Sequence, residues 1–180
     1  MAGELSYREL SALLPHAHPM ILLDRVLTLE PGTEICAIKA VTGSEPCYAG
    51  IPEGSAASAY AYPASLLVES FGQAAAILWL RSSGRRGDGD VLMFAAARNA
   101  EIEGDVYPGD VVRHVARLES SARGAAFVGG DSWIGDRRVA RFGMLSAVVR
   151  PAKSLMPGGA DASSPSPPRP PITHQGDMTR

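Results

Sequence analysis

The sequence predicts an α+β fold in which an antiparallel sheet wraps around one long central helix. Two observations carry that expectation. The segment ASLLVESFGQAAAILWLRS (Ala64 to Ser82) is the strongest run of helix formers in the chain and is apolar on nearly every face. Such a helix has no side to give to water and must be buried. Two strand-like runs precede it and four follow, separated by turn signals. Strands joined in sequence by short turns pair antiparallel, and a sheet curled around the helix is the simplest way to cover it.

The elements follow in order. SYRELSALL (Ser6 to Leu14) opens with a helix start signal, Ser6 followed three residues later by Glu9, and Pro15 ends it. ILLDRVLTLE (Ile21 to Glu30) and TEICAIKAV (Thr33 to Val41) read as strands of a hairpin turned at Pro31-Gly32. Gly43 to Pro63 has no regular period and reads as loop. Pro63 sits where the long helix begins, and Gly84 follows its end. The runs VLMFAAARNAEI, DVVRHVARLES, GAAFVGGDSWI and RRVARFGMLSAVV complete the domain. Turns at Tyr107-Pro108-Gly109-Asp110, Ala122-Arg123-Gly124 and Ile134-Gly135-Asp136 separate them.

The 180 residues are 46% apolar and 20% charged, which is ordinary for one globular domain. The formal net charge of −2 gives no electrostatic case for nucleic acid. Cys36 and Cys47 show neither metal spacing nor a disulfide framework and read as reduced thiols of a cytoplasmic protein. The first ten residues carry acidic groups and no apolar run, unlike a secretory signal. The longest apolar stretch, Leu66 to Leu80, is interrupted by Glu69 and Gln73 and reads as too short and too polar to span a membrane. From Lys153 the chain turns rich in Pro, Ser and Gly. The expected division is therefore a domain over residues 1–152 and a disordered tail over 153–180.

Four blocks carry a more specific signal: LPHAHPMILLDRV (Leu14 to Val26), EPCYAG (Glu45 to Gly50), YPASLLVESFGQAAAIL (Tyr62 to Leu78) and DVYPGDVV (Asp105 to Val112). In this order and spacing the chain from Leu14 to Val149 resembles the β-hydroxyacyl-acyl carrier protein dehydratases, thioester dehydratases of the hot-dog fold. The resemblance implies a dimer whose active sites each combine a histidine base from one subunit with a helix carboxylate from the other. It also implies that backbone N–H groups at the helix N-terminus polarise the thioester carbonyl. On this chain Glu69 matches the acid, and Ala64 takes the position of a family glycine at the helix start. The histidine does not match. After Ala49-Gly50 the sequence reads IPEG where the family reads His-Phe-Pro-Gly. Either Ile51 replaces the histidine, or the histidine is deleted and Ile51-Pro52 aligns with Phe-Pro. The loop onward to the helix, EGSAASAYAYP, is longer than the family's.

Glu69 also stands out without the resemblance. Ser65, Glu69 and Gln73 are four residues apart and line one helix stripe. A solvent-facing stripe is the ordinary reading, but a carboxylate on an otherwise apolar helix is costly unless paired or used. The other histidines are weaker candidates for the missing base. His16 reads as a structural hydrogen-bonding residue and His18 as part of the N-terminal layer. His114 falls in a strand pattern and His174 in the tail. Tyr60 and Tyr62, in the lengthened loop, are phenols of pKa about 10 and weak bases at neutral pH. Arg81, Arg85 and Arg86 read as a solvated loop or as a docking patch for an acidic carrier protein.

The expected function is that of a dehydratase-like subunit in fatty-acid or polyketide biosynthesis, with Glu69 as the catalytic residue. Ala64, Gln73, Tyr62, Ile51 and Gly50 are the substrate-binding candidates. The resemblance implies no cofactor beyond the phosphopantetheine of the substrate's acyl carrier protein. The partner is a homologue with an intact histidine, or a second copy in a homodimer. The alternatives are an inactive acyl-binding or scaffold protein, and a thioesterase or isomerase using Glu69 alone.

Overall fold

A computed structural model describes residues 3–83, 90–122 and 124–151. The tail over 153–180 and the arginines 85 and 86 lie outside the described residues. Helix α1 spans Tyr7–Leu13, strands β1 and β2 span Arg25–Glu30 and Glu34–Ala40, and helix α2 spans Ala64–Ser83. Strands β3 (Asp90–Ile102), β4 (Val111–Ala122), β5 (Ala125–Ile134) and β6 (Arg137–Pro151) follow. The six strands form one antiparallel sheet in the order β1-β2-β4-β5-β6-β3, and α2 packs on its inner face. This is the hot-dog arrangement. At the N-terminus the expected capping box is present: the Glu9 carboxylate accepts the Ser6 N–H at 2.8 Å and its hydroxyl at 2.6 Å. The loop between β2 and α2 contains two short 3₁₀ turns, Pro46–Tyr48 and Ala57–Tyr60.

One pairing differs from the sequence expectation. β3 and β4 are consecutive and joined by a tight-turn signal, yet they do not pair. β3 pairs with β6 at the far edge of the sheet, and β4 pairs with β2. The connecting segment is a crossover whose hydrogen bonds are used elsewhere. Gly109 N–H donates to Val41 O and Val41 N–H to Asp110 O, both at 2.9 Å, and Tyr62 N–H donates to Val106 O at 2.7 Å. The Pro-Gly-Asp turn therefore ties the exit of β2 to the approach to α2.

α2 is more membrane-like than the sequence reading held. The helical stretch from Ala57 to Ser83, counted with its preceding 3₁₀ turn, reaches the length and mean hydropathy, 1.2, of a bilayer-crossing segment. Much of its apolar surface is covered by this chain's own sheet, while Leu66, Val68 and Leu80 are half-buried. Leu67, Phe71, Ala74, Ile77 and Leu78 are buried together with Ile35, Val112, Ala116, Val128 and Phe142. Phe71 stacks on Phe142 with ring centres 4.1 Å apart. Sheet curvature is helped by a bulge at Gly130, where φ is +153° and a Cβ would lie 2.0 Å from Val115 O. No side chain fits there.

The helix also brings a polar group into the core. His114 on β4 is fully buried. The Ser70 hydroxyl donates to Leu67 O, so it accepts from His114 Nε2–H at 3.0 Å. Ser132 Oγ then donates to His114 Nδ1 at 2.7 Å. Both ring nitrogens are satisfied in one neutral tautomer, and burial pushes the ring's pKa down to about 3.

Candidate active site

The site is built where the segment before β1 crosses α2. Ser65, Glu69 and Gln73 share a stripe that runs from solvent to core: Ser65 is exposed, Glu69 half-buried and Gln73 only 1% exposed. Gln73 fixes the crossing chain. Its Oε1 accepts Leu22 N–H at 2.9 Å and its Nε2 donates to Met20 O at 2.7 Å. The second Nε2 hydrogen goes to Glu69 Oε1 at 2.9 Å. Held by these bonds, the crossing segment brings His16 Nε2 to 3.1 Å from the same oxygen, Glu69 Oε1. Glu69 and His16 side chains keep 33% and 30% of their surface exposed. The hydrogen bond from His16 holds the Glu69 carboxyl below the ordinary range. Desolvation opposes it, and the bond from Gln73 adds to it. Glu69 is thus a carboxylate at neutral pH.

The loop before α2 has a different character. Lys39, buried on β2, donates to Ala40 O at 2.8 Å and pairs with Glu45, which anchors the start of EPCYAG. Gly50 adopts φ +82°, a left-handed conformation that suits glycine, and Ile51 packs half-buried against the core. Ala64 is the exposed first residue of α2. Tyr48 and Tyr62 are buried, with hydroxyls that find no partner. Burial raises the Tyr48 phenol to about 12 and raises Tyr62 as well. These phenols stay protonated and are not bases. Burial likewise raises the free thiols of Cys36 and Cys47. Among the described residues no group of His, Cys, Asp and Glu is arranged to hold a metal.

A groove of about 390 Å³ lies on the opposite, outer face of the sheet, lined in part by Glu34, Cys36, Arg117 and Asp131. Arg117 pairs there with Glu34 at 2.8 Å and with Asp131 at 3.7 Å. Arg113 and Asp136 line the groove as well, and it does not include Glu69.

Residues 14–143 match the family model described as a FabA-like domain. The chain belongs to that family. It is 37% identical over 117 residues to the 3-hydroxyacyl-[acyl-carrier-protein] dehydratase FabZ of Colwellia psychrerythraea, covering 64% of this chain and 75% of that protein. It is 32% identical over 157 residues to the FabZ of Symbiobacterium thermophilum, covering 87% of this chain and 99% of that protein. Among solved structures, the dehydratase heterocomplex ApeI:P from Xenorhabdus doucetiae shares the fold. The TM-score is 0.67 and the identity 16%, with 81% of this chain and 93% of that chain covered.

Of the residues singled out in the sequence, the structure joins Glu69 and Gln73 directly. Both amide hydrogens of Gln73 are used inside the chain, so its evident work is to hold Glu69 and the crossing segment. Ala64, Tyr62, Gly50 and Ile51 lie on the approach to α2. The sequence marks His16 only as a structural hydrogen-bonding residue, and its meeting with Glu69 comes from the structure. No local pattern marks that contact, because it depends on how the crossing segment lies over the helix.

Proposed function

We propose that this chain is a dehydratase-like subunit acting on β-hydroxyacyl thioesters of acyl carrier protein in fatty-acid or polyketide biosynthesis in the cytoplasm. It supplies Glu69 to a site completed by a partner's histidine. The observation that carries this reading is the built environment of Glu69: a half-buried carboxylate with two side-chain donors on one oxygen. Such a group costs stability unless it is used or paired, and here it is held in place beside solvent. The sequence after Gly50, IPEG, offers no histidine of its own. Family membership supplies the chemistry. A histidine takes the α-proton, the C–O bond to the β-hydroxyl breaks, the departing hydroxyl takes up a proton and leaves as water, and an enoyl thioester remains. Edge strand β3 has an unpaired side and an exposed row of side chains from Ala95 to Glu103, a surface suited to pairing with a second subunit. Arg81, exposed in the last turn of α2, remains a candidate contact for an acidic carrier protein.

The test is co-expression with a histidine-bearing relative, followed by an assay on a β-hydroxyacyl carrier protein. The pair is expected to turn over and the purified chain alone to be slower by a factor of about 10²–10⁴, the usual worth of a positioned base. In the pair, Glu69→Gln abolishes turnover with assembly intact, and the equivalent change in the partner matters much less. If only the partner's carboxylate is essential, this chain is a scaffold. Turnover by the chain alone at the rate of the pair would mean that a group within it acts as the base.

A further inference from the structure

The family chemistry gives no task to His16, yet its place is tightly determined. It sits between Pro15 and the residues that Gln73 binds, Met20 and Leu22, so the bonds that seat Gln73 also seat the imidazole. His16 Nε2 and Gln73 Nε2 converge on a single atom, Glu69 Oε1, at 3.1 and 2.9 Å. Among the described residues nothing bonds to Oε2. The carboxylate is clamped through one oxygen and offers the other. The second ring nitrogen of His16, Nδ1, is buried with no hydrogen-bond partner. A doubly protonated ring would place an N–H there with nothing to receive it, which is costly in a buried setting. A neutral ring with its proton on Nε2 leaves only an unfilled acceptor there and donates to Glu69.

We infer that His16 is a positioning residue that holds Glu69 as a carboxylate with Oε2 presented to the substrate, so that this chain contributes a proton acceptor and not a proton donor. This deepens the dehydratase reading and rests on it for the substrate; the clamp itself does not. In the reaction the β-hydroxyl donates a hydrogen bond to Oε2 and is oriented by it. The partner's imidazole takes the α-proton and becomes imidazolium. As the C–O bond breaks, that proton passes to the departing hydroxyl oxygen and water forms. The imidazole returns to its neutral form, and Glu69 is ionised throughout.

The test is a carbon-13 NMR titration of the full chain labelled at glutamate carboxyls, with Glu69 assigned by its loss in Glu69→Gln. Nitrogen-15 spectra of the histidines report the tautomer of His16. The expected result is a Glu69 midpoint below that of an exposed glutamate, with the His16 proton on Nε2. His16→Ala should raise the midpoint toward that of an exposed glutamate, because desolvation is then less opposed. His16→Gln, which keeps a donor, should restore part of the shift and carries the test if the alanine variant does not fold. A midpoint unmoved in both variants, or a proton on Nδ1, overturns the inference. Activity separates the two readings. If the midpoint moves but no partner gives turnover, the clamp stands and the dehydratase reading fails. If the midpoint does not move but the pair is active, the reverse holds. In an active pair, His16→Ala should lower kcat more than it changes KM and move the acid limb of the pH profile upward with the midpoint.

Discussion

Glu69 and Ser70 are neighbours on α2, about 100° apart around the helix, and each meets a histidine from elsewhere in the chain. The two meetings are built on different terms. Ser70 faces the sheet, where His114 is fully buried and both its ring nitrogens are bonded to serine hydroxyls. That cluster is closed and has no capacity left for a ligand. Glu69 faces the crossing segment, where His16 is part-exposed, one of its nitrogens lacks a partner, and one carboxylate oxygen accepts no hydrogen bond among the described residues. A saturated polar group in a core is explained by the fold. An unsaturated one beside solvent asks for something outside the chain.

The largest expected effect follows from that difference. Glu69→Gln should reduce turnover of the active pair by at least about 10²-fold, since it removes the acceptor from the open station. Thermal unfolding should change little. Ser70→Ala, one residue along, should leave turnover within a few-fold while lowering the melting temperature. Steady-state assays and thermal scans on the two variants side by side decide the matter. Equal losses of activity would erase the distinction.

His114→Phe is the matching experiment at the closed station. It strands the Ser132 hydroxyl inside the core and removes the acceptor role of Ser70, at a cost of about 1–3 kcal/mol per unsatisfied group. Allowing for partial relaxation, the expected loss is about 2–4 kcal/mol, read by denaturant melts at fixed protein concentration. The same residue gives a pH signature. Its native pKa, near 3, lies below the unfolded value of about 6.5. Between these values the unfolded chain binds a proton that the native chain does not. Stability therefore falls with falling pH, by about 1.4 kcal/mol per unit below pH 6.5. From pH 6.5 to 5 the slope precedes most carboxylate titration, and His114→Phe should remove it. A slope unchanged in the variant would assign it to another group.

The comparison also marks how far the sequence could be read. α2 was legible almost to the residue, because an all-round apolar run between Pro63 and Gly84 has one physical solution. The strands were legible from their turn residues. The place of β3 was not, because the Pro-Gly-Asp turn gives its hydrogen bonds to Val41 and the chain before α2, and a turn signal does not name its partner. Glu69 was visible as a carboxylate on an apolar helix and Gln73 as its neighbour one turn on. The two histidines show the limit most clearly. One sits in a strand pattern and the other beside a proline, and neither context tells whether its ring nitrogens are bonded. Saturation is a property of tertiary contacts, and it is what separates the closed station from the open one.

The smallest effect is the sharpest check on this division. His16→Ala removes a side chain that is part-exposed and bonded through one nitrogen only. The carboxylate it leaves behind still accepts from Gln73 and can be reached by water. No buried polar group is stranded, and the unpartnered Nδ1 disappears with the ring. The expected change in stability at pH 7 is therefore within about 0.5 kcal/mol, the range of ordinary surface substitutions. For a domain of this size that is a shift in melting temperature of about 2 °C or less. A loss comparable to that of His114→Phe would mean that His16 is a second structural histidine and that its approach to Glu69 serves the fold. A small loss of stability with a displaced Glu69 titration would leave positioning as its work.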